Sequence, residues 1–142
     1  MRQLVKPLMP LLGKWEFTGS FKNNKRKKVE GWESYKLNKD GTSIAEAWEV
    51  FTITPGNKEV NKGKMKIQYD PESKKFMGTD NDGSSYEIRV SKTSLLIKND
   101  TYRFTGRFSA KGSIIKGKWE EADDNKGWKY WYDKTLHKVE EA

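Results

Sequence analysis

The sequence predicts an all-β protein, a single antiparallel up-and-down β-barrel of about eight to ten strands. Three observations lead there. Turn-forming clusters punctuate the 142 residues at short, regular intervals. Between them apolar and polar residues alternate with the two-residue period of a half-buried strand. Gly-Lys-Trp stands near both ends, in "GKWEF" at 13–17 and "GKWEE" at 117–121, where the first and last strands of a closed sheet have to meet.

The length suits one domain over 1–142 with a real core. Six Trp, six Tyr and six Phe supply apolar area that offsets a hydrophobic content of only 34%, and aromatic residues favour strands. A formal charge of +8 points to affinity for anionic surfaces or polyanions. The absence of cysteine excludes disulfides and thiolate metal sites. In "MRQLVKPLMPLLGKW" Lys6, Pro7 and Pro10 interrupt the apolar residues, and no small-residue cleavage pattern precedes Gly13. No signal peptide is therefore predicted, and a cytoplasmic location is expected if the chain is complete. Nothing approaches the roughly 18 apolar residues of a membrane helix.

The elements follow in order. Arg2 to Leu12 is a Pro-broken helical lid (1–12) whose Leu4, Leu8, Leu11 and Leu12 would close one end of the barrel. "GKWEFTGSF" sets Trp15, Phe17, Gly19 and Phe21 on one face, with "KNNK" turning after it. The second strand aligns Gly31, Glu33 and Tyr35. After "NKDG" the third strand is ambiguous: Ile44, Trp48 and Val50 form one apolar face, and Ala47, Phe51 and Ile53 the other. "TPGN" leads to "GKMKIQYD", with Met65, Ile67 and Tyr69 in phase, and "DPESK" turns next. Asp80 follows Gly78 into "NDGS", and "SYEIRV" aligns Tyr86, Ile88 and Val90. "KNDT" precedes "TYRFTGRF", the clearest alternation, with Tyr102, Phe104, Gly106 and Phe108 on one face. "AKG" leads to Ile115, Gly117 and Trp119, and "DDNKG" to "GWKYWYDKTLHKV". There Trp128, Tyr130 and Tyr132 are expected to point one way and Trp131 the other.

Short connections imply antiparallel neighbours, and a sheet this wide closes rather than stays open. Glycine before tryptophan fits the point where the chain enters such a barrel, since it lets the backbone bend while the indole fills the interior. "LLGKWEF" resembles the G-x-W start of lipocalins and their calycin relatives. "GKMKIQYDPESKKFMGTDNDG" and "FTGRFSAKGSIIKGKWE" look like hairpins of lipocalin-like domains of uncharacterised function. The resemblance implies a barrel around a small-molecule cavity. It departs from fatty-acid carriers, which place a helical pair after the first strand and hold a carboxylate with inward arginines; here "KNNKRKK" runs straight into strand two, and the inward sets contain no Arg.

The inward faces name the candidates for ligand contact: Trp15, Phe17, Tyr35, Trp48, Tyr69, Tyr86, Phe104, Trp119 and Tyr130, with Glu33 and Glu46 as orienting groups. Asp80 and Glu121 are further inward acids. A carboxylate inside an apolar barrel must be paired, protonated or hydrogen-bonded, so an acidic, aromatic interior within a basic exterior suits a neutral or cationic ligand with donor groups. The reading is non-catalytic binding of a small apolar or aromatic molecule, with no cofactor. Catalysis through a triad would need His137, the one histidine, near the C-terminus, with a nucleophile that nothing places beside it. Zinc lacks ligands. Nitrobindin-like calycin barrels hold haem through a late histidine, which makes His137 a candidate axial ligand in a less favoured reading. A carboxylate-dependent enzyme using Glu33 or Glu46 is another. The rival from a different class is a basic module: Lys25, Arg26, Lys27 and Lys28 would meet a polyanion, although an inward-facing aromatic set is unlike a nucleic-acid stacking platform.

Overall fold

A computed structural model of the chain describes residues 5–125 and 127–139. Leu4 of the expected lid and Lys126 of the last turn lie outside the described residues. Ten strands run in order: β1 (Gly13–Phe21), β2 (Asn24–Leu37), β3 (Ser43–Thr54), β4 (Asn57–Asp70), β5 (Lys75–Asp80), β6 (Ser85–Val90), β7 (Ser94–Lys98), β8 (Tyr102–Phe108), β9 (Ile114–Ala122) and β10 (Trp128–Val139). Each pairs antiparallel with the next, and β1 pairs with β10, so the sheet closes on itself. This is the predicted up-and-down barrel, with a lipocalin-like fold.

The expected turns hold where glycine supplies them. Gly56 in "TPGN" and Gly83 in "NDGS" adopt φ of +79° and +85°, conformations that cost other residues a steric penalty. The basic run is corrected in place: Lys25, Arg26, Lys27 and Lys28 belong to β2, and only Lys22 and Asn23 turn. β3 is settled by its partners. Tyr35 opposes Glu46 and Glu33 opposes Trp48 across β2, while Ile67 opposes Ile44 across β4, so Ile44, Glu46, Trp48 and Val50 face inward.

A 3-10 helix, Lys6–Leu11, stops the end of the barrel where β1 begins. Leu8 and Leu11 are fully buried there, and the Trp15 indole Nε1–H donates to the Leu11 carbonyl at 2.9 Å. Gly13 takes φ of +120° at this entry, the bend that the Gly-Lys-Trp start anticipates. Ile44, Ile67, Ile88, Ile115 and Leu136 fill the layer above, none more than 1% exposed. About 1.5–3 kcal/mol for burying each such side chain makes this layer the main apolar anchor.

The ladder between β9 and β10 slips at one point. Tyr130 opposes Glu120, and Tyr132, two positions on, opposes Trp119, its neighbour. Trp131 is the extra residue of a β-bulge, which breaks the period of two. Tyr130 and Tyr132 therefore face opposite sides, contrary to the expectation that they share one.

Candidate functional site

The end away from the helix is hollow. A cavity of about 410 Å³ runs from the β5–β6 turn, which contributes Asn81, Asp82 and Ser84, down between the strands to a polar floor. That volume lies within the range of small-molecule sites.

One wall is aromatic. β8 contributes Tyr102 and Phe104, β9 contributes Trp119, and the bulge lets β10 contribute two consecutive rings, Trp131 and Tyr132. Phe104 and Trp119 lie 5.4 Å apart, Tyr102 and Trp131 stack at 5.6 Å, and Trp131 meets Tyr132 edge-on at 4.7 Å. Two glycines make room for this wall and the one facing it. A Cβ on Gly117 would stand 2.7 Å from Phe104 Cζ, and one on Gly63 would stand 2.1 Å from the Trp48 ring. Trp119 Nε1 is buried and has no hydrogen-bond acceptor among the described residues. Leaving such a donor unmade is costly, and the Trp119 ring lines the cavity with this N–H turned away from open space.

The floor is charged. Lys134 Nζ meets Glu33 Oε2 at 2.8 Å, with both side chains about 8% exposed. The same ammonium lies 4.1 Å from the Phe17 ring centroid and 5.8 Å from that of Phe104. Tyr35 donates to the other oxygen, Glu33 Oε1, at 3.1 Å. Glu46 stands beside this group, 6% exposed, with no cation of its own. Burial, and then the Glu33 charge, push its carboxyl up to about 8, against partial relief from the Tyr35 hydroxyl and Lys134. It therefore holds a proton at neutral pH. Burial, then the Glu33 and Glu46 charges, also raise the Tyr35 phenol, and burial with Glu33 raises Tyr132. Near the mouth Asp80 caps its own turn, accepting from the Asp82 and Ser84 amides at 2.9 Å each.

The predicted residues divide by depth. Glu33, Tyr35, Glu46, Trp48, Tyr86, Phe104 and Trp119 line the cavity. Four others do not. Trp15 lies in the packed end beneath the helix, and Phe17 is sealed under the Lys134 ammonium. Tyr69 has the inward parity but sits past the floor, edge-on to Phe76 at 5.4 Å. Tyr130 is turned outside by the bulge, under Lys22 and Lys118. Of the further acids, Asp80 lines the cavity, while Glu121 lines a separate depression with Lys27 and Tyr130. His137, the candidate axial ligand, is exposed and lies outside the cavity, in an outer groove with Glu16, Glu30 and Trp32. Sequence reasoning missed Lys134; it read Tyr132 as inward and Trp131 as facing the other way, and counted neither among the ligand contacts. For Lys134 a signal existed, because it stands in phase between Tyr132 and the apolar Leu136.

The fold and the open cavity together define the class: a ten-stranded lipocalin-like barrel with a hollow end. No family model and no curated protein matches the sequence. Among solved structures the chain is similar to Rv2717c from M. tuberculosis, at 8% identity and a TM-score of 0.62 over 96% of this chain and 98% of that one. It is also similar to the S-type phycobiliprotein lyase CPES from Guillardia theta, at 13% identity and a TM-score of 0.60 over 94% and 91%. Both are likenesses of fold. The second corrects the expectation of a barrel without chemistry, since a protein of this architecture is named a lyase and the fold does not mark a chain as non-catalytic. No helix among the described residues is long and apolar enough to cross a membrane.

Proposed function

We propose that this protein binds a small, flat, conjugated molecule in the open half of its barrel. One observation carries the reading: five aromatic side chains line one side of a cavity of about 410 Å³ that is continuous with the mouth. A planar ligand would stack on Trp119 and Trp131. Ring–ring contacts add about 0.5–1.5 kcal/mol each beyond area burial, so two or three suffice to favour a flat ligand over a flexible chain of equal size. The likeness to a barrel named a phycobiliprotein lyase supports a pigment-like ligand class.

The test is a titration of tryptophan fluorescence with a neutral flat probe, N-phenyl-1-naphthylamine. Saturable one-to-one quenching is expected in the wild type, weakened at least tenfold in Trp119→Ala combined with Trp131→Ala. Quenching that never saturates, or that ignores both substitutions, overturns the reading.

A further inference from the structure

The cavity has the opposite sign to the surface around it. The chain carries +8 overall, yet Glu33, Glu46, Asp80 and Asp82 all line the cavity. Among the described residues two lysines line it with them, and the one at the floor is held in a buried pair. Lys134 is paired with Glu33 at 2.8 Å. Lys62, at the mouth, is paired with Glu49 at 3.4 Å.

An anionic ligand would therefore find no free cation at the floor and would face carboxylates on the way in. A cationic ligand meets the reverse. It would lie against aromatic faces, whose quadrupole attracts a cation, and end beside a carboxyl group that has no ion-pair partner among the described residues.

Resting on the proposed function, we infer that the ligand is a planar permanent cation, such as a quaternised nitrogen heterocycle, whose positive end replaces the proton of Glu46. The groups facing Glu46 support a one-for-one exchange. From β2 come Glu33 and Tyr35, and from β10 come Lys134 and Tyr132. From β4 comes Met65, which does not titrate, with Asp80 of β5 opposite Met65. Glu33 and Lys134 cancel each other, and the phenols of Tyr35 and Tyr132 are held neutral by burial. Glu46 is left as the group that can change charge when a cation arrives, and its carboxyl, pushed up to about 8, holds a proton to exchange.

The sign follows. Below that range the cation must displace a proton and binds weakly; above it the carboxylate is already formed. Affinity for a permanent cation rises with pH, by up to roughly 100-fold between pH 6 and 9 for one linked proton.

The experiment compares three flat tricyclic probes at about 0.15 M salt, which damps the long-range repulsion from the basic exterior. N-methylacridinium carries a fixed charge, acridine is neutral above pH 7, and anthracene-9-carboxylate is an anion. Calorimetry of the wild type with N-methylacridinium at pH 7, in buffers of different ionisation enthalpy, is expected to show about one proton released per cation. Glu46→Gln should abolish that release and the pH dependence. The wild-type proton count needs no variant, so a Glu46→Gln chain that fails to fold leaves the test intact. Equal or tighter binding of acridine or the carboxylate, or cation binding without proton release, overturns the charge assignment and leaves the cavity reading standing. If none of the three binds, the cavity reading itself falls.

Discussion

Below the Glu33–Lys134 pair, Leu8, Leu11, Trp15, Ile44, Ile67 and Leu136 interlock with at most 1% exposure. Above it, Trp48, Tyr86, Trp119 and Trp131 surround open space. The same strands and the same alternation build both halves. The lower half fills because branched aliphatic residues from five strands meet a helix that supplies two leucines. The upper half stays hollow because its inward residues are flat rings lying against glycines on neighbouring strands, as Trp48 lies on Gly63 and Phe104 on Gly117. A ring laid against the wall covers area without filling volume. Stability and binding thus reside in different halves.

Substitution in each half tests that division, beginning with the largest effect. Trp15→Ala removes a fully buried indole and its hydrogen bond to Leu11, and is expected to cost about 4 kcal/mol in chemical denaturation. Trp131→Ala, at the mouth, should cost about 1 kcal/mol or less while weakening the flat probe. Equal losses of stability would erase the distinction between the halves.

The boundary layer comes next. Lys134→Met strands Glu33 without its cation, and about 3 kcal/mol should be lost. Adding Glu33→Gln to that variant should restore most of it, since no buried charge then remains. A double variant as unstable as the single would mean that Lys134 matters for its packing on Phe17 rather than for its charge.

A pH-dependent test sharpens the picture at Glu46. Its folded carboxyl is pushed up to about 8, above the usual unfolded value near 4.3. Between those values the native state holds a proton that the unfolded chain has released. Unfolding free energy therefore falls as pH rises through this window, by at most about 1.4 kcal/mol per pH unit, and levels above it. Glu46→Gln should flatten this component in urea melts run from pH 5 to 9. An unchanged slope would place the titration elsewhere.

Much of this was legible in the residues. Alternation told which face of β1, β2, β4, β6 and β8 looks inward, and it placed Glu33 inside. It could not tell depth. A period of two is the same at the top and bottom of a strand, so Trp15, Phe17 and Tyr69 read like Trp48 and Phe104 although they lie at or beyond the floor. The two faces of β3 were equally apolar, and only pairing with Tyr35 and Ile67 separated them. The bulge at Trp131 was illegible because nothing in "KYWYD" marks a bulge, with neither glycine nor proline beside it. Lys134 was overlooked because lysine is almost never fully buried unless paired, and its partner lies 101 residues away.

The bulge also separates how the barrel is assembled from what it holds. β10 carries one residue more than its ladder with β9 requires. A chain lacking Trp131 would keep Tyr130 opposite Glu120 and Tyr132 opposite Trp119, and every residue below would keep its face. One ring at the mouth is thus a detachable part. Its main chain stays engaged, since the Lys22 N–H donates to the Trp131 carbonyl at 3.3 Å, so changing the side chain alone can vary the width of the opening by a whole indole while the fold stays the same.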